Sequence, residues 1–258
     1  MPICKTLGVT LSRYDYSETS QVIMFFTRDY GKVRLIAKGS KRPKSNLEGP
    51  YDLLTVYEIV FYARVRGSGL QTLAESKLLE DFRALRADFA CAAFACYACE
   101  LVSELCPEGE PNPRVFDLFV STLRRLAEGA RREITVARFE LQLYRHLGYL
   151  PELTQCAVCR RSLRGCRVLR FSALKGGVLC AKCAPQDEGA TALSAAALSA
   201  MRLLVAPESS AAGRLRLRPE TVRDIRVALD AFIRSLLEHE PRSMRFIQPE
   251  ALSPKRSS

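Results

Sequence analysis

The chain has 258 residues, of which 48% are hydrophobic and 26% charged, which is typical of a folded globular protein. This composition excludes disorder, collagen and a simple coiled coil for the whole chain, and the length suits one large domain or two small ones. The longest apolar run, Phe89 to Cys99, has eleven residues, whereas about 20 are needed to cross a bilayer. The N-terminus lacks a signal-peptide pattern, so we expect no membrane partner and a cytoplasmic location.

The charge is strongly basic and unevenly distributed. Lys and Arg number 39 against 28 Asp and Glu, a formal net charge of +11. Residues 1–80 carry 12 basic and 8 acidic side chains, residues 81–155 carry 9 and 11, and residues 156–258 carry 18 and 9. A surplus at both ends indicates a polyanionic partner, either nucleic acid or an acidic protein segment. The alternative is a surplus that serves solubility alone.

Residues 1–80 have the composition and alternation of β-strands. The predicted strands, which are rich in Val, Ile, Leu, Thr and aromatic residues, are Lys5–Tyr14, Gln21–Thr27, Val33–Lys38 and Asp52–Arg64. Turn signals separate them, including the Gly31 and Gly39 segments. Four or five short strands in 80 residues predict a small barrel, of OB or SH3-like type.

A basic segment follows the third predicted strand. The cations of this segment and of the strand before it are Lys32, Arg34, Lys38, Lys41, Arg42 and Lys44. Aromatic residues interleave nearby, and the candidates are Tyr14, Tyr16, Phe25, Phe26 and Tyr30. Cations that follow a nucleic-acid backbone beside aromatic rings that stack on bases are typical of single-strand binding. These six cations are therefore the candidate DNA-binding residues, and the alternative is a solvated hairpin tip.

Beyond residue 80 the apolar period becomes helical. The clearest helix is predicted to begin at Pro219, with apolar residues from Val222 to Leu237 on one face. The opposite face, with Arg223, Arg226, Asp230 and Arg234, is predicted to be solvated. An earlier Ala-rich stretch is predicted to be a tightly packed helix whose cysteines are core residues, namely Cys91, Cys96, Cys99 and Cys106.

Two C-x-x-C pairs lie twenty residues apart, Cys156 with Cys159 and Cys180 with Cys183. Each turn brings two thiolates to one ion, and two turns complete a tetrahedral Cys4 site. Four thiolates favour one Zn²⁺, with mononuclear iron as the minor alternative, and a closed shell predicts a structural role. Cys166 could compete as a ligand but has no partner at turn spacing.

Catalytic constellations are absent from the sequence. It contains neither a phosphate-binding loop nor a nucleophile elbow, and its only histidines are His146 and His239. We therefore expect no enzymatic activity and no catalytic residues.

The order of several short motifs resembles the bacterial RecO family of DNA repair proteins. In the first part these are Tyr16-Ser-Glu18, Phe26-Thr27, Gly31-Lys32, Ala37-Lys38-Gly39 and Lys41–Ser45. In the middle they are Phe139-Glu140, Leu147-Gly148-Tyr149, Pro151-Glu-Leu153 and the four cysteines with Phe171-Ser172 and Gly176-Gly177, and the last is Arg242–Phe246. The resemblance covers nearly the whole chain, although residues 81–135 match loosely.

The resemblance implies an α+β protein with an N-terminal OB fold, followed by a helical bundle that carries the Cys4 zinc insertion. It implies a non-enzymatic recombination mediator that binds single- and double-stranded DNA and anneals complementary strands. With RecR, such proteins help to load RecA on DNA coated by single-strand-binding protein (SSB), whose acidic C-terminal tail they bind. A zinc-containing RNA-binding or translation-associated protein is the alternative, and an enzyme with an unrecognised motif is a third reading.

The predicted organisation has five segments. The barrel occupies residues 1–80 and binds DNA, and the first helical part occupies residues 81–155. The zinc insertion occupies residues 156–187, the second helical part residues 188–248, and a flexible tail residues 249–258.

Overall fold

The structure is a computed structural model that describes residues 2–42, 47–49, 51–63, 69–166, 168–206 and 215–248. The chain forms two compact units, one from residues 1–130 together with the segment from Ser243, and one from Arg131–Arg242. The predicted class is confirmed: an α+β chain with an N-terminal barrel, then helices, with the four cysteines in the second unit. The predicted tail, residues 249–258, lies outside the described residues.

The first unit contains a closed five-stranded barrel. Its strands are β1 (Ile3–Asp15), β2 (Gln21–Thr27), β3 (Gly31–Ala37), β4 (Val56–Tyr62) and β5 (Gln71–Glu80). Their order around the barrel is β1-β2-β3-β5-β4, and β4 pairs with β1 to close it. The strands β3 and β5 pair in parallel, with Ile36 opposite Thr72. This is the OB arrangement, so the SH3-like alternative is wrong.

The barrel interior is filled with aromatic and branched side chains. Phe25, Tyr51 and Tyr57 contact one another with ring centroids 5.1–6.1 Å apart, and the Tyr51 hydroxyl lies 2.6 Å from Ser76 Oγ. The predicted strand Asp52–Arg64 begins later, at Val56. Tyr51 and Leu54 have left-handed backbone with φ of 57° and 67°, which turns the chain before β4.

Helices cover part of the barrel's outer face. In chain order the helices of the first unit are α1 (Arg83–Ala87), α2 (Phe89–Leu105) and α3 (Pro113–Ala127). Asn112 caps α3 by accepting the Val115 N–H. Phe26, on the outer face of β2, lies 6.0 Å from the Phe116 ring of α3, and Arg28 makes two 3.0 Å hydrogen bonds to Asp117. The strands β2 and β3 are therefore largely buried on both faces.

In the described residues of the second unit, helices pack on a small sheet. The helices are α4 (Arg132–Leu147), α5 (Ala195–Val205) and α6 (Pro219–Leu237), and α7 (Met244–Ile247) returns to the first unit. The strands β6 (Leu169–Ser172), β7 (Gly177–Cys180) and β8 (Thr191–Ala192) form a sheet in the order β7-β6-β8. Phe232 of α6 packs on Tyr144 of α4 and on Phe171 of β6, with centroids 5.1 and 6.0 Å apart. The sheet is thus attached to the helical core.

The prediction of a solvated face on α6 is wrong for two residues. Arg226 is largely buried and makes two 2.7 Å hydrogen bonds to the fully buried Glu140 of α4. It also donates at 2.6 Å to Asp230, which is buried too. Arg223 is exposed as predicted. The helix buries more than its apolar stripe because both α4 and α5 pack against it.

The Ala-rich helix α2 is confirmed, and Cys99 within it and Cys106 directly after its last residue are buried. Burial raises the pKa of Cys106 to about 11, which keeps the thiol neutral. Cys91 is half-buried, and Cys96 is exposed, so the prediction that Cys96 packs in the core is wrong. Among the described helices, none is both long and apolar enough to span a membrane.

Candidate metal centre and nucleic-acid interface

The four predicted ligands converge in the second unit. The sulfur atoms of Cys156, Cys159, Cys180 and Cys183 all lie within 4.8 Å of one another, and those of Cys159 and Cys180 are 3.7 Å apart. A tetrahedral ion with bonds of about 2.3 Å to sulfur sets the sulfur atoms about 3.8 Å apart. Cys166 is not part of this cluster. The four cysteines could therefore bind a metal ion.

Strand pairing brings the two C-x-x-C turns together. The segment that begins at Glu152 runs beside β7, since Val178 N–H donates to Glu152 O at 2.9 Å and Ala157 N–H to Val178 O at 2.9 Å. Gly177 permits this approach, because a Cβ there would lie 2.5 Å from Glu152 O. Cys156 consequently faces Cys180 at the end of β7, and Cys180 N–H donates to Cys156 Sγ at 3.5 Å.

Each turn has its own hydrogen bonds. In the first, Arg160 N–H donates to Cys156 O at 3.0 Å and Cys156 N–H to Arg161 O at 2.8 Å. Arg160 has φ of 60°, the left-handed conformation at which glycine is common. In the second turn, Cys183 N–H donates to Cys180 O at 3.0 Å. The backbone thus tolerates an arginine where the sequence lacks a glycine.

The electrostatics of the cluster suit a cation. Burial opposes ionisation of Cys156, but backbone N–H donors of Cys159, Cys180 and Val158 outweigh it and lower its pKa to about 6. Burial and the neighbouring cysteine sulfurs raise the pKa of Cys183 to about 12. One thiolate is therefore stabilised by the backbone, and further thiolates beside it are disfavoured until a positive ion compensates them.

A second candidate site lies at one end of the barrel in the first unit. The loop between β1 and β2 and the segment after β3 enclose a pocket of about 350 Å³. Its lining residues are Tyr16, Ser17, Thr19, Ser20, Ile36, Lys38, Gly39 and Arg42. The pocket combines two cations, three aliphatic hydroxyls and the exposed ring of Tyr16. OB folds bind oligonucleotides at strands 2 and 3 and at the loop between strands 1 and 2. Here β2 and β3 are largely buried, so the exposed loop after β1 is the part of that region open to a ligand.

The structure separates the six predicted DNA-binding cations into groups. Lys38 and Arg42 line the pocket, and Lys41 beside them lies 2.8 Å from Asp15. Lys32 donates to the Ser103 carbonyl, and Arg34 lies 3.1 Å from Glu108, so both contact the segment at the end of α2. Lys44 lies outside the described residues.

The five aromatic residues proposed to lie near DNA divide into buried and exposed rings. Phe25 and Phe26 are fully buried, and Tyr30 packs on Phe61 with centroids 5.4 Å apart. Tyr14 and Tyr16 are 56% and 62% exposed, so these two rings are the ones able to stack on a base.

Some lining residues were not predicted from the sequence. The hydroxyls of Ser17, Thr19 and Ser20 belong to the loop between β1 and β2, and its position in an OB fold is the signal that could have identified them. A further pocket of about 500 Å³ in the second unit includes Glu152, Arg160, Lys175 and Arg202. No spacing in the sequence connects Arg202 with the other three.

Known proteins resemble this chain along nearly its full length. A family model described as "Recombination protein O N terminal" matches residues 1–82, and one described as "Recombination protein O C terminal" matches residues 86–245. The chain is 34% identical over 245 residues to the DNA repair protein RecO of Roseiflexus sp., covering 95% of this chain and 85% of that one. It is 31% identical over 242 residues to RecO of Symbiobacterium thermophilum, covering 93% and 94% of the two chains.

Proposed function

The chain belongs to the RecO family, with a role in DNA repair and recombination, and from this we propose that it is a non-enzymatic recombination mediator. It binds single- and double-stranded DNA, anneals complementary strands and, with RecR, helps to load RecA on SSB-coated DNA. We therefore expect the protein to be cytoplasmic and associated with the nucleoid. The observation that carries the proposal is the barrel pocket, where Tyr16 lies beside Lys38 and Arg42.

The pocket chemistry suits a single strand. Exposed aromatic rings stack on bases of any sequence, while cations compensate the phosphates. Lys38 and Arg42 are exposed and form no ion pair with the described carboxylates. Lys41 is also exposed, and its ion pair with Asp15 lies on the surface, where water weakens it, so a phosphate can replace that partner. Lys32 and Arg34, which contact the first unit itself, contribute less.

The cysteine cluster holds one structural Zn²⁺ in this proposal. Cys156, Cys159, Cys180 and Cys183 would complete a closed shell, which leaves no position for a substrate. The ion then supplies no reaction chemistry. It fixes β7 against the segment from Glu152, and through Phe171 it supports the helical core.

The surface proposed for the acidic SSB tail lies on α6. An acidic SSB tail with an apolar end requires exposed cations next to apolar side chains. Arg226 is unsuitable, because Glu140 and Asp230 already occupy its guanidinium. Arg223 is exposed, and Val227, one helical turn later, is 42% exposed. We therefore assign the tail to this part of α6.

A strand-annealing assay tests the function directly. The full chain is mixed with complementary oligonucleotides, either bare or coated with intact SSB or with SSB that lacks its acidic tail. We expect faster annealing of bare strands, and acceleration of coated strands only when the tail is present. No acceleration on bare DNA contradicts the proposal, and a preference for RNA over DNA favours the RNA-binding alternative.

Replacing Tyr16 by alanine is expected to weaken single-strand binding about 5- to 150-fold. Stacking of one base on an aromatic ring is worth about 1–3 kcal/mol. Tyr16→Phe keeps the ring and should bind as the wild type does. Tyr62→Ala removes a tyrosine exposed elsewhere on the barrel, on β4, and is the matched control. Fluorescence anisotropy with oligo-dT measures the effect, and equal losses for Tyr16→Ala and Tyr62→Ala would contradict a stacking role.

Replacing both Lys38 and Arg42 by alanine should lower the salt dependence of single-strand binding. Each lost phosphate contact reduces the slope of log K against log salt by about 0.7, so we expect a decrease of about 1.4 for any sequence. The double variant Lys32→Ala/Arg34→Ala removes the same charge from cations that contact Ser103 and Glu108 and should change the slope less. Equal slopes for both double variants would show that only the net charge matters.

A further inference from the structure

The segment from Cys156 to Cys183, which we call the Cys4 lobe, has a charge that metal binding does not explain. It contains seven Arg and Lys residues and no Asp or Glu. One divalent ion with four thiolates has a net charge of about −2, so the loaded lobe retains about five positive charges. A purely structural metal site has no need of this charge.

The lobe's cations are directed to solvent. Six of the seven are in the described part of the chain, and all six are exposed: Arg160, Arg161, Arg164, Arg170, Lys175 and Lys182. Arg160 lies 3.6 Å from Glu152. The other five form no ion pair with any carboxylate that the structure describes. They differ in this from Lys32, Arg34 and Lys41 of the barrel, each of which has a protein partner.

A pocket at the edge of the lobe adds a concave cationic feature. Arg160, Lys175 and Arg202 line this space of about 500 Å³, together with the single carboxylate of Glu152. Hydrogen bonds from Thr154 and Gln155, against the effect of burial, lower the pKa of Glu152 to about 2. The Glu152 oxygens accept these bonds at 2.6–3.3 Å. Glu152 therefore stays ionised, but the three cations Arg160, Lys175 and Arg202 outnumber this one carboxylate, so the pocket has a net positive charge that favours an anionic group.

We propose that the Cys4 lobe is a second DNA-binding surface, which binds the phosphodiester backbone of duplex DNA without reading its bases. The side chains of the lobe favour duplex DNA over an unpaired strand. Phe171 is the lobe's one aromatic residue, and it is buried against Phe232, so the lobe offers no ring on which a splayed base could stack. Duplex DNA carries about one charge per 1.7 Å and keeps its bases stacked internally, so it needs cations alone.

This proposal rests on the proposed function, because that function makes DNA the polyanion. It assigns different substrates to the two units. The barrel pocket, with Tyr16, takes an unpaired strand, and the Cys4 lobe takes a duplex. A protein that anneals strands makes a duplex from single strands, so sites for both would let it bind the substrate and the product.

The test compares three double variants of the full chain on a 20-base-pair duplex over a range of salt concentrations, and two of the three remove the same charge. Arg161→Ala/Arg164→Ala removes two lobe cations, and we expect the slope of log K against log salt to fall by about 1.8, at about 0.9 per contact. Arg216→Ala/Arg218→Ala removes two exposed cations of the same unit outside the lobe and should leave the slope unchanged. Arg161→Lys/Arg164→Lys keeps the charges and should retain the wild-type slope, which separates a charge effect from a folding defect.

Several outcomes decide the proposal. Retained metal, retained melting temperature and a reduced duplex slope only in the alanine lobe variant support it, as does unchanged binding of that variant to oligo-dT. An unchanged duplex slope in that variant overturns it while leaving the proposed function intact. Tighter binding of an acidic peptide than of duplex by the same cations also overturns it. If the wild type binds no DNA at all, the proposed function fails as well.

Discussion

Replacing Cys180 by serine is expected to abolish metal binding and to unfold much of the unit formed by residues 131–242. Cys180 is the last residue of β7, and its sulfur atom lies 3.7 Å from that of Cys159. In small zinc peptides the metal contributes about 10–16 kcal/mol at neutral pH, as much as the whole stability of a typical domain, about 5–15 kcal/mol. Because β6 is bonded to β7 and carries Phe171 into the helical core, the loss should reach the helices.

Metal analysis and calorimetry together measure this effect. The wild type should contain about one zinc ion per chain, and Cys180→Ser close to none, with a clearly lower melting temperature for the second unit. Cys166→Ser is the matched control, since Cys166 lies in the same lobe but outside the cluster. It should keep its zinc and its melting temperature. Full zinc content and unchanged melting of Cys180→Ser would refute the assignment of the ligands.

Replacing Arg226 by methionine should destabilise the second unit by about 3–5 kcal/mol, the cost of leaving a buried charge without its partner. Glu140 is fully buried and receives two hydrogen bonds from Arg226, and Asp230 receives a third. Arg223→Met, one turn earlier on the exposed face, should change the stability by less than about 0.5 kcal/mol. Urea unfolding of the two variants measures the difference.

The stability that Arg226→Met loses should depend on pH in a defined direction. Burial raises the pKa of Asp230 above its ordinary 3.8, and Arg226 opposes that rise. A carboxyl whose folded pKa is raised holds its proton more tightly in the native state, so its native state becomes less stable as the pH rises through that window. Without Arg226, burial raises the pKa of Asp230 further, so the pH range over which the native state loses stability extends upwards. The deficit of Arg226→Met relative to wild type should therefore grow as the pH rises above about 4.

A coupled substitution checks the cause of this deficit. In Glu140→Gln/Arg226→Met the fully buried charge is removed with its partner, so the double variant should lose less than the two single variants combined. Strict additivity, or a deficit that is independent of pH, would contradict the buried-charge explanation. A deficit in Arg223→Met as large as that in Arg226→Met would contradict it as well.

Much of the fold and of the candidate metal centre could be predicted from local patterns. Two C-x-x-C pairs are sufficient to identify the four cysteines whose sulfur atoms converge, because each turn geometry is set within four residues. The strand positions of the barrel and the start of α6 at Pro219 likewise follow from alternation and from the missing proline N–H. Sequence left the barrel type open, because the OB order depends on the pairing of Ile36 with Thr72, far along the chain.

Only the tertiary structure decided which cations are available to a ligand. Composition located the positive surplus, but it could not show that Arg34 meets Glu108 or that Arg226 meets Glu140, whose positions are 74 and 86 residues apart in the chain. The helical period identified one buried face of α6, whereas α4 and α5 together bury more of the helix surface than that face. Periodicity describes an isolated element, and the partners of a charged side chain are set by the elements that pack against it.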